Sequence, residues 1–207
     1  MAHKFADITF TPTVKDLQTQ MGSRSSYARW EEAPEAINHL LTGAEAGFIA
    51  ARDSVYMASV GETGWPYIQH RGGPIGFVKV LDEHTLGFAD FRGNRQYITV
   101  GNVTNNNRVS LFFMDYANKR RLKLLGRAQI IGTEDTATLE RLALPDYRAR
   151  VERGILITVE GFDWNCPQHI TERFTLAEVS AMAASLTTRI AELEAELAAR
   201  PLPPVGS

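Results

Sequence analysis

FVKVLDEHTLGFADFRGNRQY, residues 77–97, carries a strand pattern and a chemical pattern side by side. Residues 77–91 are rich in β-formers on both sides of Asp82-Glu83-His84, a polar break that reads as the turn of a hairpin. The end of the stretch, FADFRGNRQY at 88–97, then gathers Arg92, Asn94, Arg95 and Gln96 around Gly93, where a strand hands over to a helix. Backbone N–H groups at a helix start favour an anion, and arginine adds bidentate contacts to phosphate. A solvated loop with surface arginines is the competing reading of the same residues. Arg71 and Lys79, on neighbouring strands, would add positive charge to a phosphate site.

Immediately upstream, HRGGPIGFVKV at 70–80 places His70, Arg71, Gly72, Gly73 and Gly76 ahead of the strand. Glycine weakens a strand, so this punctuation implies either close approach of backbone to a ligand or a tight bend. Before it, GFIAARDSVYMASVG at 47–61 suggests two short β-rich pieces around Arg52-Asp53-Ser54, and ETG turns the chain into WPYIQHR to make a hairpin. Downstream, residues 94–107 suggest a short helix, followed by strands RVSLFFMDY at 108–116 and RRLKLLGRAQIIG at 120–132. A helix interrupted near Pro145 is expected within 134–153, and GILITVEGFDWN at 154–165 alternates as a last strand. This makes about six or seven antiparallel strands with flanking helices, an α+β chain built as a small β-barrel or sandwich.

The two ends of the chain read differently. Helices are expected at 12–22, where Pro12 suits the first turn and Gly22 the end, and at 29–43, stopped by Gly43. Near the C-terminus, Leu176, Val179, Ala183, Leu186, Ile190, Leu193 and Leu197 alternate spacings of three and four, the stripe of a long amphipathic helix. Such a stripe packs on its own domain or serves as a coiled-coil or dimer contact. RPLPPVGS at 200–207 is expected to fray. The divisions are an N-terminal helical extension over 1–45, a barrel over 46–174, and a helix with its tail over 175–207.

Composition narrows the classes. With 207 residues and 44% hydrophobic content, the chain can fill a real core. Its net charge of −2 supplies no global basic field for nucleic acid. The single cysteine, Cys166, excludes an internal disulfide framework and suits a reducing compartment. As a small buried hydrophobe or a redox group, it lies in FDWNCPQHITERF with Gln168 and His169, a group of side chains suited to covering a planar ring. The other histidines lack metal-ligand spacing, and neither a dinucleotide-binding glycine pattern nor a GxSxG elbow is present. No apolar run approaches the roughly 18 residues of a membrane span, so a cytoplasmic protein with no membrane or nucleic-acid partner is expected.

Several segments together carry a family resemblance: FTPTVKDLQTQMGSR, the long run from FIAARDSVYMASVGETGWPY through HRGGPIGFVKV to FRGNRQYITVGN, NNNRVSLFFMDY, RRLKLLGRAQI and NCPQHI. In order, spacing and turn positions the chain resembles the FMN-binding split-barrel proteins related to pyridoxamine 5′-phosphate oxidase, specifically their bacterial flavin-nucleotide-binding branch. The resemblance covers about residues 10–174. It implies an antiparallel split barrel, FMN as cofactor, oxidoreductase chemistry on a small-molecule redox substrate, and a homodimer with flavins in clefts between subunits.

The resemblance also implies roles for residues. Carried over by position, Arg71 and Lys79 match the arginine and lysine that embrace the flavin phosphate, and Ala89, Asp90, Asn94, Arg95 and Gln96 fall in the segment that follows. His70 and Gly72 belong beside Arg71, while Arg121 falls where the family faces the flavin ring from the partner subunit. Gln168 lies in the C-terminal flavin cover, and His169 is the candidate to orient a substrate. The aromatic and arginine with which the oxidase recognises pyridoxamine phosphate have no counterpart near this C-terminus, which points away from the vitamin B6 oxidase itself. A flavin carrier or stress protein without a dedicated substrate, or a barrel holding F420 or haem, is the alternative.

Overall fold

The computed structural model describes residues 3–32, 36–164 and 167–199. Helices α1 (Lys4–Thr9), α2 (Pro12–Gln20), α3 (Arg24–Glu32) and α4 (Gly43–Ala50) precede strands β1 (Ser54–Val60), β2 (Pro66–Gly72), β3 (Lys79–Val80) and β4 (Thr85–Phe91). Helix α5 (Ile98–Asn105), strands β5 (Arg108–Asp115) and β6 (Arg120–Ile131), helix α6 (Thr136–Leu142), strand β7 (Val151–Trp164) and helix α7 (Leu176–Ala198) follow.

All seven strands belong to one antiparallel sheet in the order β2-β1-β5-β6-β7-β4-β3. β2 and β3 are consecutive in the chain, yet they stand at opposite ends of that order. The sheet therefore curls into a barrel that is split between its first and last strands. Inside, Met57, Phe77, Phe88, Leu111, Phe113, Leu122, Leu124, Ile155 and Ile157 form a continuous core, supplied by alternate residues of β1, β4, β5, β6 and β7 and by the loop before β3. Burying side chains of this size favours the fold by roughly 1.5–3 kcal/mol each before entropy is counted.

Both hairpins and the strands expected at 108–116, 120–132 and 154–165 form, β7 running from Val151 to Trp164, while residue 165 lies outside the described residues. Two N-terminal expectations need correction. The helix expected at 29–43 is instead α3, ending at Glu32, and a separate α4 begins at Gly43. α4 also replaces the first of the two β-rich pieces, so residue 45 falls inside a helix. Its start is a capping box: the Glu45 carboxylate accepts from the Thr42 backbone N–H and hydroxyl, while Thr42 Oγ1 accepts from the Ala44 amide. Two reciprocal contacts outweigh the β-like composition of GFIAA.

The glycine-rich loop between β2 and β3 is a bend held against the end of α4. The Gly73 and Gly76 amides donate to the Asp53 and Arg52 carbonyls at 2.9 and 3.0 Å. Gly76 has a left-handed φ of +79°, and a Cβ there would stand 3.2 Å from the Ala50 carbonyl oxygen.

α7 forms over the expected stripe, capped by a second box at Thr175 and Glu178. It does not pack on its own barrel: every residue of α7 is exposed. Cys166 and the tail at 200–207 lie outside the described residues. No helix among the described residues is long and apolar enough to cross a membrane.

Candidate functional site

β2 sorts its side chains by alternation. Tyr67, Gln69 and Arg71 pair with Ser59, Met57 and Val55, whose side chains face the barrel interior. Residues opposite one another in an antiparallel pair share a face, so these three point inward at the edge of the split. His70 takes the outer face, where its ring meets Tyr56 edge-on at 5.5 Å.

The inward face of β2 forms one wall of a cavity of about 250 Å³. Asp90 and Phe91 at the end of β4, the 93–97 loop, the first residues of α5, and Glu152 on β7 complete it. At its centre is Asp90, 8% exposed. Arg71 Nη1 donates to Asp90 Oδ1 at 2.7 Å across the split, and Arg153 Nε stands 3.3 Å from Oδ2. Arg153 occupies that position because β4 and β7 pair Asp90 directly with it. Burial pushes the Asp90 carboxyl up from its ordinary range, the two guanidiniums pull against that shift, and Glu152 adds to it. Glu152 is itself within 2.8 Å of Arg153 and 3.7 Å of Arg92.

Three polar atoms here are buried without hydrogen-bond partners: Arg71 Nε and Thr99 Oγ1 on residues that line the cavity, and Arg153 Nε behind them. Thr99 is only 3% exposed, yet it lines the cavity from the first turn of α5. That turn has no side-chain cap, because Tyr97 precedes it in a left-handed conformation with φ 54°. The uncapped amides, an orphan hydroxyl and an orphan guanidinium N–H therefore meet at one cavity. Donors so arranged suit a phosphate oxygen. Nearer the rim, Arg95 Nε donates to the Tyr97 hydroxyl at 3.2 Å, and Asn94 Oδ1 accepts from the Gln96 amide at 3.3 Å.

Of the residues singled out in the sequence, Arg71, Asp90, Asn94, Arg95 and Gln96 line this cavity together. The others do not. Gly72 ends β2 opposite Ser54, Lys79 pairs with Gly87, and Ala89 is buried opposite Gly154. Arg121 lies opposite Met114 on β6, and its Nε is buried without a partner. Gln168 and His169 occupy an exposed turn after β7, with His169 at a left-handed φ of 63°. The following segment is tied to the β5–β6 hairpin by Lys119–Glu172 at 3.4 Å and by Arg173 over the Tyr116 ring at 4.9 Å.

Sequence reasoning missed Tyr67, Gln69, Thr99, Glu152 and Arg153. Period-two alternation from Arg71 was enough to reveal Gln69 and Tyr67. No local pattern links Asp90 to Arg153, which only strand pairing brings together. No group of three or more His, Cys, Asp or Glu among the described residues gathers as metal ligands would.

The model of the pyridoxamine 5′-phosphate oxidase family matches residues 41–160, which contain β1 to β6 and most of β7 with the whole cavity. The chain belongs to that family. Among solved structures, this family member is similar to HupZ of Group A Streptococcus, at 18% identity over 65% of this chain and 100% of that one, with a TM-score of 0.49. It is also similar to a putative pyridoxamine 5′-phosphate oxidase from Lactobacillus delbrueckii, at 19% identity over 60% and 94% of the two chains and a TM-score of 0.48. A Clostridium acetobutylicum protein related to general stress protein 26 has 19% identity over 64% and 92%, with a TM-score of 0.43. No curated protein matches the chain.

Proposed function

We propose that this family member is an FMN-dependent oxidoreductase that holds the flavin phosphate in the cavity between β2 and the start of α5. The observation that carries the reading is the convergence of the uncapped α5 N-terminus with two buried orphan donors, Thr99 Oγ1 and Arg71 Nε. A buried donor without a partner costs about 1–3 kcal/mol, and a phosphate oxygen removes that cost at both atoms. The residues present therefore fit the phosphate end of the cofactor.

In this reading Arg71, Thr99 and the first amides of α5 hold the phosphate, with Arg95, Gln96 and Asn94 closing the rim. Asp90 holds Arg71 by accepting from Nη1 and attracts Arg153, whose Nε stands 3.3 Å from Oδ2, by charge. The flavin, when bound, supplies hydride or electron transfer to a small-molecule substrate. His70, Arg121, Gln168 and His169 lie outside the phosphate cavity and would serve the ring end. A homodimer accounts for that separation, and the uncovered outer face of the sheet supports it: Ile68 and Tyr56 are exposed there at 66% and 40%, and Trp65, in the turn just before β2, at 77%.

The test is a visible spectrum followed by titration of the apoprotein with FMN, beside F420 and haem. Saturation at one FMN per subunit, weakened in Arg71→Ala, is the expected result. Binding of F420 or haem with indifference to FMN would overturn the cofactor assignment, and indifference to all three would overturn the site. Turnover with a nicotinamide or an organic acceptor separates an enzyme from a flavin carrier.

A further inference from the structure

Helix α7 presents an apolar stripe that none of the described residues of its own chain covers. Leu176, Val179, Met182, Leu186, Ile190, Leu193 and Leu197 are between 46% and 83% exposed. The hydrogen bonds and ion pairs described for α7 stay within the helix or its cap, as with Thr175–Glu178 and Arg189–Glu192. A helix of 23 residues, about 34 Å long, draws most of its stability in a folded protein from burying such a face.

We infer that α7 pairs with α7 of a second copy of this chain as a parallel, in-register two-stranded coiled coil. Leu176, Ala183, Ile190 and Leu197 take the a positions of the heptad, and Val179, Leu186 and Leu193 take d. Ile190 at a followed by Leu193 at d is the combination that favours two parallel strands, and Ala183 at a leaves room for close approach. The flanking charges specify the direction. Arg189 falls at g and Glu194 at the following e, the two positions that face one another between parallel strands, so a symmetric pair forms two interhelical ion pairs. Glu178 and Glu192 fall at c, away from the seam.

The opposite orientation lacks this match. Residues 179–188 contain no charged side chain, and a fully overlapped antiparallel pairing sets Arg189 and Glu194 against that segment. The inference stands independently of the flavin reading, because it uses no residue of the cavity.

Single cysteines at d positions test it, introduced into full-length Cys166→Ser protein. Under mild oxidation, Val179→Cys and Leu193→Cys should each form an interchain disulfide with itself, while the outward-facing Ala195→Cys should stay monomeric on a non-reducing gel. Arg189→Glu in the Leu193→Cys protein should lower the yield severalfold, and adding Glu194→Arg should restore it. Disulfides that form only when the Leu193→Cys protein is mixed with an Ala183→Cys protein, a d position against an a position, would establish the antiparallel arrangement and overturn the inference. Failure of the Val179→Cys, Leu193→Cys and Ala183→Cys proteins to cross-link, alone or mixed, would also overturn it and place the stripe against a barrel. FMN titration of the same variants reports on the cavity separately.

Discussion

Arg71 and Asp90 are joined at 2.7 Å between β2 and β4, strands that lie far apart in the hydrogen-bonded order of the sheet. The ion pair thus crosses the split itself. It fixes one guanidinium nitrogen of Arg71, 19 residues from its acidic partner in sequence, while Nε stays buried beside the cavity without a partner.

Replacing Arg71 by alanine should weaken FMN binding by about 1.5–3 kcal/mol, the range for a hydrogen bond to a charged group. Arg71→Lys keeps the charge but loses the planar fork, so it should recover only part of the affinity. Isothermal titration measures both, and wild-type affinity in Arg71→Ala would remove this residue from the site.

Thr99→Val should act with opposite signs on stability and binding. The valine removes a buried hydroxyl that has no partner, so the ligand-free protein should be unchanged or more stable by up to about 1 kcal/mol. FMN affinity should fall by about 0.5–1.5 kcal/mol. Urea unfolding with and without FMN distinguishes this from a simple packing defect, which would lower stability in both states.

Glu45 should contribute a pH-dependent share of stability. Burial raises its carboxyl, but the Thr42 hydroxyl and amide, the Trp164 indole N–H at 2.7 Å and its own amide together hold it below its ordinary value. A lowered folded-state value stabilises the fold above the unfolded carboxyl's range near 4.5 and loses that contribution as pH falls through the folded value. Glu45→Gln should therefore cost about 1–3 kcal/mol at pH 7, with the gap to wild type closing in acid. Denaturant melts followed by tryptophan fluorescence across that range check it; a gap independent of pH would refute the linkage.

Gly126 lies at the irregularity where β6 and β7 shift register, and a Cβ there would approach the Thr158 carbonyl oxygen to 2.5 Å. Backbone on a central strand cannot retreat cheaply, so Gly126→Ala should destabilise by at least about 1–3 kcal/mol. A thermal melt equal to wild type would show that the bulge relaxes.

The barrel was legible because its strands alternate: Val55, Met57 and Ser59 face in, as do Val109, Leu111 and Phe113. The misread α4 carried its own signal, Thr42-Gly43-Ala44-Glu45, a capping-box spacing in front of an apolar run that composition alone reads as β. Part of the cavity lining was legible in FRGNRQ, where arginines meet a helix start. The rest depends on pairing at long range. Nothing near Asp90 announces Arg153, and Thr99 is an ordinary helical residue until β2 is folded across from it. What the α7 stripe packs against is not written in one chain's sequence, since the same stripe suits a barrel wall or a second helix.

The bend between Gly72 and Lys79 also governs what can enter the split. These residues end the two strands that border the opening, and the chain between them spans at most about 25 Å even fully extended. Its amides at Gly73 and Gly76 are clamped to Asp53 and Arg52, so the slack is already taken up. The entrance behaves as a ring of fixed circumference on this side, and a bulky guest cannot force the barrel apart to get in. The opposite lip is less crowded: at Gly93 a Cβ would meet nothing within 4 Å.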